Sequence, residues 1–266
     1  MDLELRLEEC VLVSVDFSVM LEQRGSAKGA GEIVRKLCRL YRAMGIYDYL
    51  VNADLYGLHY GLIQSAMARK AYLTETALEP LESESVRRSS LNASFFDALA
   101  ASQWGVARAI AELSPRHTNS ELEYEDDYLY ARILYDIVLA GHAGGADLNR
   151  QVERFGEVLE GQPSQRFEIC RSFQEGAHED FAEAFSDLLR AYSETMESAA
   201  DPISGEAVAQ ESDFEANRNL WVEGIALLAI AKSLGIETKD QYILCPTIAA
   251  PADFRFEPRS YPMLPL

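Results

Sequence analysis

The chain has few of the residues that would make it a disulfide-held or metal-held protein. Its four cysteines, Cys10, Cys38, Cys170 and Cys245, are scattered with no C-x-x-C spacing. They read as buried reduced thiols rather than as a cross-linked framework. The four histidines, His59, His117, His142 and His178, are equally dispersed, with no H-E-x-x-H or Glu-x-x-His pattern, so neither a metal nor a cofactor is implied. Long apolar runs are missing too. The most apolar stretch, residues 220–234, carries Glu223 and Lys232 and is too short and too charged to span a bilayer. Met1 to Glu9 lacks a basic region followed by an apolar one, so no secretory signal is expected and a cytoplasmic location is. Basic charge is the scarcest resource. Against 43 acidic residues stand 24 lysines and arginines, a net charge of −19. A chain of that sign repels phosphate, which argues against direct nucleic-acid binding.

What is present is a folded composition, 48% hydrophobic with 25% charged residues, sufficient for a sizeable core in one or two domains. Proline is sparse: of nine, five follow residue 245, and Pro80, Pro115, Pro163 and Pro202 punctuate the rest at intervals about the length of a helical hairpin. Apolar residues between them recur at helical spacing: Ile33, Leu37, Leu40, Tyr41 and Met44; Val51, Leu55, Leu58 and Leu62; Tyr130, Ile133, Leu134, Ile137 and Val138; Phe181, Phe185, Leu188, Leu189 and Tyr192. Residues 220–234 are apolar nearly all round and stop at Gly235, as a central helix would.

The expected fold is mostly α, with antiparallel helical hairpins packed as an array. Phe95-Phe96-x-x-Leu99 leading through Ala101-Ser102-Gln103 to Trp104 is echoed by Ile169-Cys170-x-x-Phe173 leading through Glu175-Gly176-Ala177 to Phe181, each reading as helix, tight turn, helix. Val11, Val13, Val15 and Phe17 alternate, which admits a short N-terminal strand beside the preferred helix. The chain divides into an N-terminal helical segment (1–90), a helical body (91–245) and an extended Pro-rich tail (246–266), all within one continuous domain.

The charge is not spread evenly. Residues 1–120 carry 15 acids and 13 bases, residues 121–217 carry 23 acids and 6 bases, and residues 218–266 carry 5 of each. A surface made acidic only for solubility would not be partitioned in this way, so the middle stretch is a candidate interaction region.

Known catalytic patterns are not found. No serine lies in G-x-S-x-G, and the glycine-rich Gly25–Gly31 lacks the order of a phosphate-binding loop, so a flexible link is its better reading. Acids are too abundant for any pair to be singled out as acid and base. His178-Glu179-Asp180 fits a helix start better than a ligand set. The run from Glu121 to Tyr130 fits a helix N-terminus, where acids complement the dipole, or acids and tyrosines offered to a basic partner.

Several stretches resemble the bacterial immunity protein 49 family of polymorphic toxin systems: Phe95-Phe96-Asp97-Ala98-Leu99-Ala100 with Trp104 and Ala107; Glu123 to Arg132; Arg154-Phe155 through Val158-Leu159-Glu160-Gly161; Phe181 through Leu189; and Val222 to Ala231, closed by Leu234-Gly235-Ile236-Glu237-Thr238 and Cys245-Pro246. The likeness spans about residues 90–250 and rests on the order and spacing of the pieces. It implies an α-helical, non-enzymatic protein that binds and neutralises a cognate toxin, with a nuclease as the leading candidate. It also implies that the shared Glu123–Arg132 motif holds the fold and that specificity lies on other acidic surface.

The charge partition agrees with that implication, since a nuclease site must be electropositive and an acidic face complements it. The candidate toxin-binding residues are Glu121, Glu123, Glu125, Asp126, Asp127, Glu153, Glu157, Glu160, Glu179, Asp180, Glu183 and Asp187. A helical-repeat adaptor for a basic protein or peptide is the alternative, and an α-helical enzyme with a polar cavity is the third reading.

Overall fold

A computed structural model describes residues 2–142, 145–200, 213–239 and 241–249, with the side chain of Ile248 excepted. Among these residues lie eleven α-helices: α1 (Leu3–Arg24), α2 (Gly31–Asn52), α3 (Leu55–Glu75), α4 (Ala93–Ala100), α5 (Trp104–Leu113), α6 (Glu125–Ala140), α7 (Ala146–Val158), α8 (Gln165–Glu175), α9 (His178–Ala200), α10 (Phe214–Asn219) and α11 (Val222–Ser233). The fold is mostly α, as the periodicity predicts. Pro202 and residues 250–266, most of the Pro-rich tail, lie outside the described residues.

The helix ends follow from local chemistry. Asp2 caps α1, its carboxylate accepting hydrogen bonds from the Glu4 and Leu5 amides at 3.1 and 3.4 Å. Gly25, Gly141 and Gly176 end α1, α6 and α8 in the left-handed region, where a side chain would be strained. Pro80, Pro115 and Pro163 all lie in loops.

The two echoed hairpins are α4–α5 and α8–α9, and both turns close alike. The Gln103 amide donates to the Ala98 carbonyl at 2.7 Å and the Ala177 amide to the Ser172 carbonyl at 3.0 Å. Each is the bond, five residues back, that terminates a helix in a Schellman turn.

Two expectations need correction. No strand forms at the N-terminus: Val11, Val13 and Val15 all lie on α1, because an alternation of four residues is outweighed by the heptad-like repeat that runs through them. The repeat through Val51, Leu55, Leu58 and Leu62 is not one helix. It crosses the α2–α3 turn at Ala53 (φ 52°) and Asp54, leaving Val51 exposed at the end of α2.

α2 and α3 run antiparallel, since Gly31 lies by Tyr72, Cys38 by Ser65, Gly45 by Gly61 and Asp48 by Gly57. The two helices come close enough that a Cβ on Gly45 would meet the Leu58 carbonyl oxygen at 2.6 Å. One hydrophobic core then extends from Cys10 to Ala249. From α1 to α10 consecutive helices pack on one another, and α11 returns to pack against α4. The N-terminal and body segments are joined by a buried polar tie. The Arg42 guanidinium grips the Asp97 carboxylate through two bonds, at 2.6 and 2.8 Å, and the Ser65 hydroxyl donates to the same carboxylate. Asp97 is fully buried, so this fork satisfies a charge that would otherwise be very costly inside the protein.

Candidate partner-binding surface

α9 offers the longest stretch of free acid. Its inner face carries Phe181, Phe185, Leu188, Leu189 and Tyr192. Aromatic stacking fixes it in place: Phe181 lies 5.2 Å from Phe173 and 5.6 Å from Phe185, and Trp221 packs on Phe185 at 5.6 Å and on Tyr192 at 5.0 Å. With that face inward, Glu179, Asp180, Glu183, Asp187, Glu194 and Glu197 fall within an outward sector of about 100°. Arg190 is the one cation in that sector, and it is paired with Asp187 at 2.9 Å.

The region's bases are all committed. Arg132 pairs with Asp136, Arg150 with Asp147, Arg154 with Glu125 and Glu157, Arg166 with Asp127, Arg171 with Glu168 and Arg190 with Asp187. These six are all the arginines of residues 121–217, and the stretch has no lysine. From outside the stretch Arg39 grips Asp213 and Arg218 reaches Glu215, and the α9 acids Glu179, Asp180, Glu183, Glu194 and Glu197 are in none of these pairs.

The twelve acids expected at the interface separate on this basis. Glu179, Asp180 and Glu183 stand exposed on the α9 stripe, and Glu153 and Glu160 are exposed at α7 and just past it. Glu121 is exposed and Asp126 half-buried at the approach to α6. Glu125, Asp127, Glu157 and Asp187 are held in the ion pairs above. For Glu125, hydrogen bonds from Arg154 hold the carboxyl below its ordinary range. Glu123 leaves the surface altogether. It is buried, and it accepts the Ser90 amide at 2.9 Å, a contact that latches the loop before α4 to the one before α6. Glu194 and Glu197 extend the stripe and were not among the twelve. Their spacing from Glu183 and Asp187 along one helix would have identified them.

The stretches quoted for the family resemblance are mostly interior. Phe95 and Phe96 are buried, with Phe95 edge-on to Tyr135 at 4.7 Å. The Tyr130 hydroxyl donates to Glu223 at 2.7 Å, joining α6 to α11, and burial followed by the Glu223 charge keeps that phenol protonated. Arg132 is buried against Asp136. The motif residues thus form much of the scaffold, apart from Glu183 and Asp187, which lie in the Phe181–Leu189 stretch and belong to the outward α9 stripe.

Catalytic chemistry has little to work with among the described residues. Burial pushes the Cys38, Cys170 and Cys245 thiols up, so they are poor nucleophiles. Among the described residues no group of three or more His, Cys, Asp or Glu side chains is placed to hold a metal ion. An open cleft of about 780 Å³ between α6 and α7 is lined by Arg116, Asp136, His142, Arg150 and Arg154 among others. Its half-buried carboxylate, Asp136, is occupied. Burial opposes ionisation there, but bonds from Arg132 and Gln151 overcome it and hold the carboxyl below the usual range, which makes a weak base. No helix among the described residues is long and apolar enough to cross a membrane. Comparison of the chain with protein-family models, curated proteins and solved structures finds no match.

Proposed function

We propose that this protein is an immunity protein that binds a cognate toxin in the cytoplasm and neutralises it by stoichiometric association, without catalysis. The observation that carries the reading is the outward α9 stripe, in a region whose every arginine is already ion-paired. Such a face attracts a basic surface at long range, and steered encounter can raise association rates roughly tenfold to a thousandfold. A toxin with an electropositive active site, a nuclease above all, is the partner this face suits, and the sequence resemblance to the immunity protein 49 family supports the same role. The cellular test is deletion of the gene followed by challenge with the toxin encoded beside it. Killing of the deletion strain, with rescue by the full chain, is the expected result. Survival without the protein would refute the reading and favour the adaptor alternative, whose gene need not neighbour a toxin.

A further inference from the structure

α1 has two apolar stripes, and the structure buries one. Leu3, Leu7, Cys10, Ser14, Phe17 and Leu21, alternately four and three residues apart, face α2. Leu5, Leu12, Val15 and Val19 repeat at spacings of seven, three and four on the opposite side, where Leu12 is 69% and Val15 55% exposed. Of the eleven exposed large hydrophobic residues described, seven belong to this helix. A helix apolar on both sides is built to lie between two neighbours, and among the described residues this one has a neighbour on one side. Beside the free stripe, Val11, Val15 and Val19 form one wall of a groove of about 320 Å³, with Tyr60 and Gly61 of α3 opposite and Met44 of α2 beneath. At the floor of the groove Gly61 lets α3 lie directly on α2, since a Cβ there would meet the Tyr41 carbonyl oxygen at 2.5 Å.

The margins select the occupant. Glu4, Asp16 and Glu22 are exposed along the edges of the free stripe, Glu8 is exposed within it between Leu5 and Leu12, and Asp48 lines the groove. The nearest bases are engaged, Arg6 with Glu9 at 2.8 Å and Arg24 with the Gly29 carbonyl at 2.8 Å. A second copy laid on this face would bring acids against acids. We infer that the outer face of α1, with the groove it shares with α3, docks an amphipathic helix of the partner protein, apolar along its ridge and basic along its margins. The inference deepens the proposed function, since that partner would be the toxin, but its test does not depend on the toxin.

The probe is a labelled synthetic peptide of three heptads, with leucine at the a and d positions and lysine at e and g, titrated by fluorescence anisotropy into the full chain. The wild-type protein is expected to bind it, and to bind the same peptide with glutamate at e and g roughly tenfold more weakly or less. The double variant Leu12→Ser, Val15→Ser removes two exposed apolar side chains without changing charge, and should weaken binding of the lysine peptide by roughly tenfold or more. The variant Glu179→Gln, Glu183→Gln, Glu194→Gln should leave that binding within about twofold, because α9 is a separate surface. Equal binding by L12S/V15S and wild type would overturn the inference, as would equal affinity for the two peptides. Two further results would also overturn it by assigning the face elsewhere: sedimentation showing a dimer that L12S/V15S dissociates, or binding that appears only once residues 250–266 are removed. Failure here with killing of the deletion strain intact would discard the α1 site and leave the toxin reading standing.

Discussion

α1 and α9 are the two long helices that frame the chain's interaction chemistry, and they solve opposite problems. Both turn one apolar stripe to the core. On α9 the other side is acid, as water demands of a helix with one buried face. On α1 the other side is leucine and valine, with one acid, Glu8, in the stripe and the others along its edges. The difference separates two kinds of recognition: a charged face that acts at a distance and governs encounter, and an apolar face that acts on contact and governs residence. Both belong to one acidic molecule, so they complement the same kind of partner, one that is basic around an apolar ridge.

The contrast can be tested on stability, where inner and outer faces must behave differently. The largest effect is expected at the inner face of α9. Phe185→Ala would remove a fully buried ring that stacks on both Phe181 and Trp221 and should cost about 3–5 kcal/mol in urea unfolding. Asp97→Asn leaves Arg42 buried without its counter-charge and should cost about 3–5 kcal/mol, a figure that belongs to breaking the pair rather than to the pair's net worth. On the inner face of α1, Leu21→Ala should cost about 2–4 kcal/mol, whereas the outer-face Leu12→Ser should stay within about 0.5 kcal/mol. A large loss from Leu12→Ser would show that this face is covered within the chain itself and would remove the contrast.

A smaller effect depends on pH. Burial holds the His59 imidazole below its ordinary range, although the Ala249 carbonyl accepts from Nε2 at 2.9 Å. The unfolded chain therefore takes up the proton first, and the contribution of neutral His59 is complete above about pH 6.5 and declines as the pH falls below it. Urea midpoints at pH 8 and pH 5.5 should fall further for wild type than for His59→Gln, and an equal fall would contradict the assignment. Asp136 acts on the acid side. Its folded value is lowered, so the stability it contributes is present above about pH 4 and is lost as the pH falls through that lowered value. The Asp136→Asn variant should accordingly lose less stability than wild type on going from pH 5 to pH 2.5. The smallest expected effect is on the α9 stripe: neutralising Glu179, Glu183 and Glu194 should change stability by no more than about 0.5 kcal/mol.

Much of the fold was legible because its signals are local. Helix periodicity, the tight turn at Gly176, the stop at Gly235 and the acids at the first turn of α6 all act within a few residues of themselves, and the echo of α4–α5 in α8–α9 lies in two short strings of sequence. The α9 stripe was half legible: Glu179, Asp180, Glu183 and Asp187 were read from composition, and helical spacing alone would have added Glu194 and Glu197. The pairing state of the other acids was not legible. Arg154 reaches Glu125 and Arg166 reaches Asp127 across the α6–α7 and α6–α8 contacts, and Glu123 meets Ser90 across a gap of 33 residues. Such meetings are products of the tertiary fold. The free stripe of α1 was hidden for a different reason. A helix apolar on two sides gives a blurred helical period, so the alternating valines stood out instead, and nothing in a single sequence says which of two apolar faces finds a neighbour.

The most direct test of the central claim is the rate at which the full chain associates with the proposed cognate toxin, measured by stopped flow over a range of salt concentrations. Wild type should associate fast at low salt and slow steeply as salt rises. The variant Glu179→Lys, Glu183→Lys, Glu194→Lys should associate roughly tenfold or more slowly at low salt, with a flatter salt dependence. An unchanged rate and slope in that variant would contradict the account, because the acidic face of α9 would then have no part in capturing the partner.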